Sequence, residues 1–135
     1  MYQQMIFVNL ATNDVAASRK FFTELGYAIN PQFSTDDCSC VVISDTIIAM
    51  LLSKQRYADF TKKEIADSTK TSEVLICLSA ESREKVDELV EKAVAAGGTA
   101  NDDVQDQGFM YGRSFEDLDG HSWEVVWMDP AAVQG

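Results

Sequence analysis

Gly108–Asp129, GFMYGRSFEDLDGHSWEVVWMD, decides the fold. It predicts two strands joined by a tight turn. Asp117-Leu118-Asp119-Gly120 supplies the turn, because Asp favours its start and Gly tolerates the backbone at its end. His121–Met128 is rich in β-branched and aromatic residues, as strands are. Alternation places Trp123, Val125 and Trp127 on one face, which reads as a core beneath helices. Ser122, Glu124, Val126 and Met128 fall on the other, where one carboxylate stands among apolar neighbours.

Working outward, the chain reads as two similar halves. Met5–Ala11 predicts a strand, with Phe7 and Asn9 facing away from Ile6, Val8 and Leu10. Asn13 or Asp14 can cap a helix whose inner stripe is Val15, Phe21, Phe22 and Leu25, closed by Gly26. Strands are expected at Tyr27–Phe33, Cys38–Ser44 and Ile47–Leu52, with Pro31 marking an edge or an end. The second half opens with a strand at Glu73–Ser79. Ser82 then caps a helix over Arg83–Ala96, with Val86, Leu89, Val90 and Ala93 inside and Gly97-Gly98 closing it. A brief strand at Thr99–Asn101 and a polar loop at Asp102–Gln107 lead into the stretch quoted first. Each half is β-α-β-β-β, and the order repeats after about 68 residues.

Between the halves lies Ser53–Ser72, polar and carrying five basic residues. Thr61-Lys62-Lys63-Glu64 fits a capping box, so a short helix is expected there. The segment reads as a linker between modules or as a flap over a site. The divisions are a first module over about 1–53, a connector over 53–72 and a second module over about 73–135, all within one domain of 135 residues.

Net charge is −11, and it is uneven: residues 1–67 carry 6 basic and 8 acidic side chains, residues 68–135 carry 5 and 14. Such a surface repels nucleic acid and anionic membrane. No stretch approaches the roughly 20 apolar residues of a membrane span. MYQQMIFVNL lacks a basic region followed by a long apolar one, so no signal peptide is expected and the location is cytoplasmic. Cys38, Cys40 and Cys77 read as reduced thiols, since Cys38 and Cys40 share a strand face, a poor geometry for a disulfide.

A duplicated β-α-β-β-β chain ending in D-L-D-G-H-x-W-E-V resembles the vicinal oxygen chelate superfamily, which includes glyoxalase I, extradiol dioxygenases and the fosfomycin and bleomycin resistance proteins. The opening N-D-V-A-A-S-R-K-F-F and L-G-Y, Asn13–Phe22 and Leu25–Tyr27, resemble the superfamily's start. The resemblance implies an α+β fold in which two modules curl mixed sheets around a shared cavity. It also implies pairing of two chains as a homodimer. In the metalloenzymes of the superfamily, four strands each offer one ligand to a divalent metal. The last such position is matched by Glu124. The others fall at Phe7 or Asn9, near Met50 and near Leu75, which are largely apolar, so no metal or other cofactor is expected.

Glu124 is the leading candidate for a catalytic role. It reads either as a carboxylate of raised pKa able to act as a general base, or as an inherited residue hydrogen-bonded to Ser114, Asn9 or water. Phe7, Asn9, Met50, Met110 and Ser114 are expected to line the cavity and contact a ligand. Ser114 reads as a hydroxyl rather than a nucleophile, because no His stands ready to activate it. Arg113 is expected to pair with an acid of the second half. His121 reads as a surface turn residue.

Three functions fit. The first is metal-independent binding of a small apolar or aromatic molecule. The second is a lyase or isomerase of the glyoxalase type using Glu124 and a metal. The third is a partner-binding module with a closed cavity.

Overall fold

The computed structural model describes residues 1–132. These divide into two compact units that meet in sequence between Asp67 and Ser68. The division falls inside the segment expected to connect the modules.

The first unit is built from β1 (Ile6–Thr12), α1 (Val15–Glu24), β2 (Ala28–Ile29), β3 (Cys38–Val42), β4 (Ile47–Ser53) and a short α2 (Lys54–Ala58). Its sheet runs β1-β4-β3-β2, with β1 parallel to β4 and the other pairs antiparallel. Asp14 is the cap of α1, accepting a hydrogen bond from the Ala17 N–H at 3.0 Å. The expected stripe of Val15, Phe21, Phe22 and Leu25 is fully buried. Phe21 and Phe22 meet edge to face, 5.0 Å between centroids. Arg19 fastens the helix to β3. Its Nε donates to Ser39 Oγ at 2.6 Å, and its terminal nitrogen donates to the Thr35 and Cys38 carbonyls.

The second unit contains β5 (Leu75–Ser79), α3 (Arg83–Ala95), β6 (Thr99–Ala100), β7 (Gln105–Asp106), β8 (Met110–Glu116) and β9 (Ser122–Met128). Its sheet runs β5-β9-β8-β6, with β7 also on β8, and β5 is parallel to β9. Ser82 caps α3 through Lys85 N–H, as expected. Val86, Val90 and Ala93 are wholly buried, with Phe115, Trp123 and Val125 of the sheet. Phe115 and Trp123 stack with centroids 6.3 Å apart and planes 5° apart.

Several boundaries differ from expectation, each for a local reason. The strand expected over Tyr27–Phe33 is only Ala28–Ile29. Pro31 opens a 3-10 turn at Pro31–Phe33, and Asn30 caps that turn through the Gln32 N–H. The strand expected over Cys38–Ser44 ends at Val42, because the Ile43 and Ser44 N–H groups both turn to the Ile47 carbonyl. In the segment after β4 the helix forms at Lys54–Ala58, capped by Ser53. None forms at Thr61–Glu64, where the Thr61 hydroxyl accepts from Lys63 N–H in a local turn. The polar loop at Asp102–Gln107 carries the two-residue β7, so the second unit has one strand more than the first.

The β8–β9 turn follows the sequence closely. Gly120 N–H donates to the Asp117 carbonyl at 3.1 Å. Gly120 has φ +84°, and a Cβ there would stand 2.9 Å from the Ser68 carbonyl oxygen, so only glycine fits.

Candidate functional site

Strand parity and register build the site. On β9, Glu124 lies between Cys77 of parallel β5 and Ser114 of antiparallel β8. All three therefore project to the face opposite α3. A cavity of about 380 Å³ opens over that face, lined by Cys77, Met110, Ser114, Glu124, Val126 and Met128, with Asn101, Asp103 and Gln105 from the segment after β6. Gly112 belongs to the same face and leaves the floor without a side chain. A second cavity, about 490 Å³, shares Asn101, Ser114 and Glu124 and adds Leu75, Thr99, Glu116 and Ser122.

Glu124 is half-buried, and within its unit no described residue donates a hydrogen bond to its carboxylate. The expected bond to Ser114 is not made, although the two residues are paired across the strands. Partial exposure to water removes the heavy cost that full burial of an unpaired carboxylate would carry. Burial pushes the neighbouring Cys77 thiol upward, and the charge of Glu124 pushes it the same way. Both effects disfavour the Cys77 thiolate.

The expected ligand residues separate by unit. Met110, Ser114 and Glu124 line one cavity of the second unit. Phe7, Asn9 and Met50 lie on one face of the first unit's sheet, where Asn9 pairs with Met50 and Phe7 with Ile48. Cys77, Asn101, Asp103 and Gln105 had not been expected at a site. Alternation along β5 carried a signal for Cys77, because it shares parity with Leu75 and Ser79 and opposes the inward Ile76 and Leu78.

The other face of β8 is occupied structurally. Tyr111 Oη donates to Asp87 Oδ1 at 2.7 Å, and an Arg113 terminal nitrogen donates to the same oxygen at 3.0 Å. The Tyr111 hydrogen bond, with Arg113, holds the Asp87 carboxyl below its ordinary value. Arg113 thus pairs with an acid of the second half, as expected. Its guanidinium is committed there, although its Nε is buried without a partner.

Arg83 staples the segment that bears β7. Its two terminal nitrogens reach the two Asp106 oxygens at 2.9 Å each, and one also donates to the Gly108 carbonyl at 2.8 Å. The guanidinium lies over the Tyr111 and Trp127 rings, 5.1 and 5.3 Å from their centroids. Trp127, expected in the core, is half-buried beneath this cation. The Arg83 hydrogen bonds, helped by Gly108 N–H, lower Asp106 to about 2. Because the folded value is depressed, the contribution is present above the ordinary carboxylate value and is lost as pH falls through it toward about 2. NMR titration of the Asp106 carboxyl should give a midpoint near 2, returning to about 4 in Arg83→Gln. An ordinary midpoint in the unsubstituted protein would show that the staple does not hold in solution.

The positions that the resemblance offered to a metal can be tested by chemistry. By register the β5 residue beside Glu124 is Cys77, and Leu75 lies beside Ser122. In the first unit the corresponding parallel pair is Asn9 and Met50. These positions supply one carboxylate, one carboxamide, a thioether and a thiol that a metal would have to deprotonate. Glu124 is the one strong donor for Mg²⁺, Mn²⁺ or Zn²⁺ in that set, so it fits such an ion poorly.

A separate group, Asp117, Asp119 and His121, brings three potential ligand atoms within 4.8 Å of one another at the β8–β9 turn. Asp117 is already engaged. Its Oδ1 accepts from the Asp119 and His121 N–H groups, and its Oδ2 accepts from the Trp123 indole N–H, each at 3.0 Å. Burial raises its carboxyl, against the opposing pull of His121 and these donors. The carboxylate thereby locks the turn. His121, expected at the surface, is half-buried in it.

The bleomycin resistance protein-like N-terminal family matches residues 4–44. Comparison with curated proteins gave no match. A hypothetical protein from S. aureus is 29% identical, with 94% of each chain covered and a TM-score of 0.77. A glyoxalase-related enzyme from Fulvimarina pelagi is 21% identical over 93% of this chain and 88% of its own, with a TM-score of 0.78. The genomically encoded fosfomycin resistance protein of Listeria monocytogenes is 18% identical over 94% of each chain, with a TM-score of 0.67. Over nearly its whole length the chain has the fold of solved glyoxalase and bleomycin resistance proteins, and its opening strand and helix match the bleomycin resistance protein-like N-terminal family.

Proposed function

We propose that the second unit's cavity binds a small, largely apolar molecule, and does so without the superfamily's metal. The observation that carries this is a cavity of about 380 Å³ in which a carboxylate without a donor among the described residues stands among Met110, Val126 and Met128. That volume is in the range of small-molecule sites, which pair an apolar lining with a few polar groups that set orientation. A carboxylate without a donor among the described residues is available to a donor on the ligand.

The test is ligand screening by thermal shift and calorimetry, before and after chelation. Saturable binding should survive EDTA. Glu124→Gln should weaken it by about tenfold, since it removes a hydrogen bond to a charged acceptor. Binding abolished by EDTA and restored by a divalent ion would overturn the metal-free reading in favour of a metal-dependent lyase or isomerase using Glu124.

The same reading treats the chain as a cytoplasmic homodimer. Ile6 and Phe7 on edge strand β1, and Val74 and Leu75 at edge strand β5, leave apolar side chains exposed, as pairing surfaces do. A monomer mass by light scattering would remove that part of the reading.

A further inference from the structure

We propose that the ligand is an amphipathic organic amine whose ammonium group sits at Glu124. The inference rests on the cavity reading above and narrows it to a chemical class.

The two cavities share Asn101, Ser114 and Glu124. Their walls carry the carboxylates of Asp103, Glu116 and Glu124. Among the described lining residues the one cationic side chain, Arg113, gives its guanidinium to Asp87. The nearby Arg83 is taken up by Asp106, and that pair cancels. Among the described residues no lysine lines either cavity. An anionic ligand would therefore meet like charge with no free cation to receive it, whereas an ammonium group would find acceptors only.

The two cavities also differ in kind. The first offers Met110, Val126 and Met128, flexible and polarizable surface for an apolar body. The second offers the Thr99 and Ser122 hydroxyls and the Glu116 carboxylate, which suit a polar tail. Glu124 stands at the junction. A net charge of −11 adds a long-range field that draws cations in.

Calorimetry with three probes on one skeleton decides the matter: phenylbutylamine, phenylbutanol and phenylbutyrate. The amine should bind about tenfold tighter than the alcohol, and the carboxylate weakest. In Glu124→Gln the amine should fall to the level of the alcohol, whose own affinity is unchanged. Glu116→Gln, a change on an exposed side chain, should weaken the amine by a smaller factor and serves if Glu124→Gln does not fold. Alcohol binding as tight as the amine, or tighter carboxylate binding, overturns the amine assignment and leaves the apolar cavity reading standing. No saturable binding of any probe overturns both.

Discussion

Trp123→Ala should cost about 3–5 kcal/mol, the usual range for truncating a fully buried large aromatic side chain. Trp123 is 1% exposed and the largest of the fully buried side chains. It stacks on Phe115, and its indole N–H satisfies one oxygen of buried Asp117. Truncation opens a cavity beneath α3 and strips a donor from a buried carboxylate together. Domains of this size hold about 5–15 kcal/mol in total, so much of the stability is at stake. Urea denaturation should show a large drop in midpoint. Trp123→Phe should cost less, because it keeps a ring against Phe115 while losing the N–H and part of the ring volume. A loss below about 1 kcal/mol for the alanine change would show that Trp123 is not core.

Asp117→Ala should cost about 3 kcal/mol by leaving three donors without an acceptor, two backbone N–H groups and one indole. Asn is an informative control. It keeps one oxygen for the two backbone donors but turns an amide N–H toward the indole N–H. A turn residue serving only its local backbone would tolerate Asn, as capping positions do. Here Asn should cost nearly as much as Ala. Combining each change with Trp123→Phe in a double-mutant cycle should give a coupling of about 1 kcal/mol or more. Additivity within a few tenths would show that the indole bond does not contribute.

What the sequence made legible was everything set by local periodicity. Trp123 and Val125 alternate inward as expected, and Asp14 and Ser82 sit where capping requires a short acceptor ahead of an apolar stripe. The turn at Asp117–Gly120 follows from its own residues. The lost parts depend on partners far along the chain. Cys77 stands beside Glu124 because β5 runs parallel to β9, and nothing near either residue states that register. Asp117 was read only as the start of a turn, since its buried role depends on an indole presented from the next strand. Thr61–Glu64 satisfied the capping-box pattern, yet Thr61 closes a turn on Lys63 N–H instead. The cavity wall at Asp103 and Gln105 was read as loop, because β7 is two residues long and is held by Arg83. Polar composition alone gave no sign of either.

Both units join their first strand to their last by parallel pairing: Ile6 with Ile47, and Leu75 with Ser122. During synthesis, then, neither sheet can close until nearly all of its unit has emerged from the ribosome. β1 must wait for β4, and β5 for β9, each across a long loop whose entropy is lost before any pairing is gained. Until then the apolar edge strand of each unit is exposed, so the interval before β9 appears is when a nascent chain has most need of a chaperone.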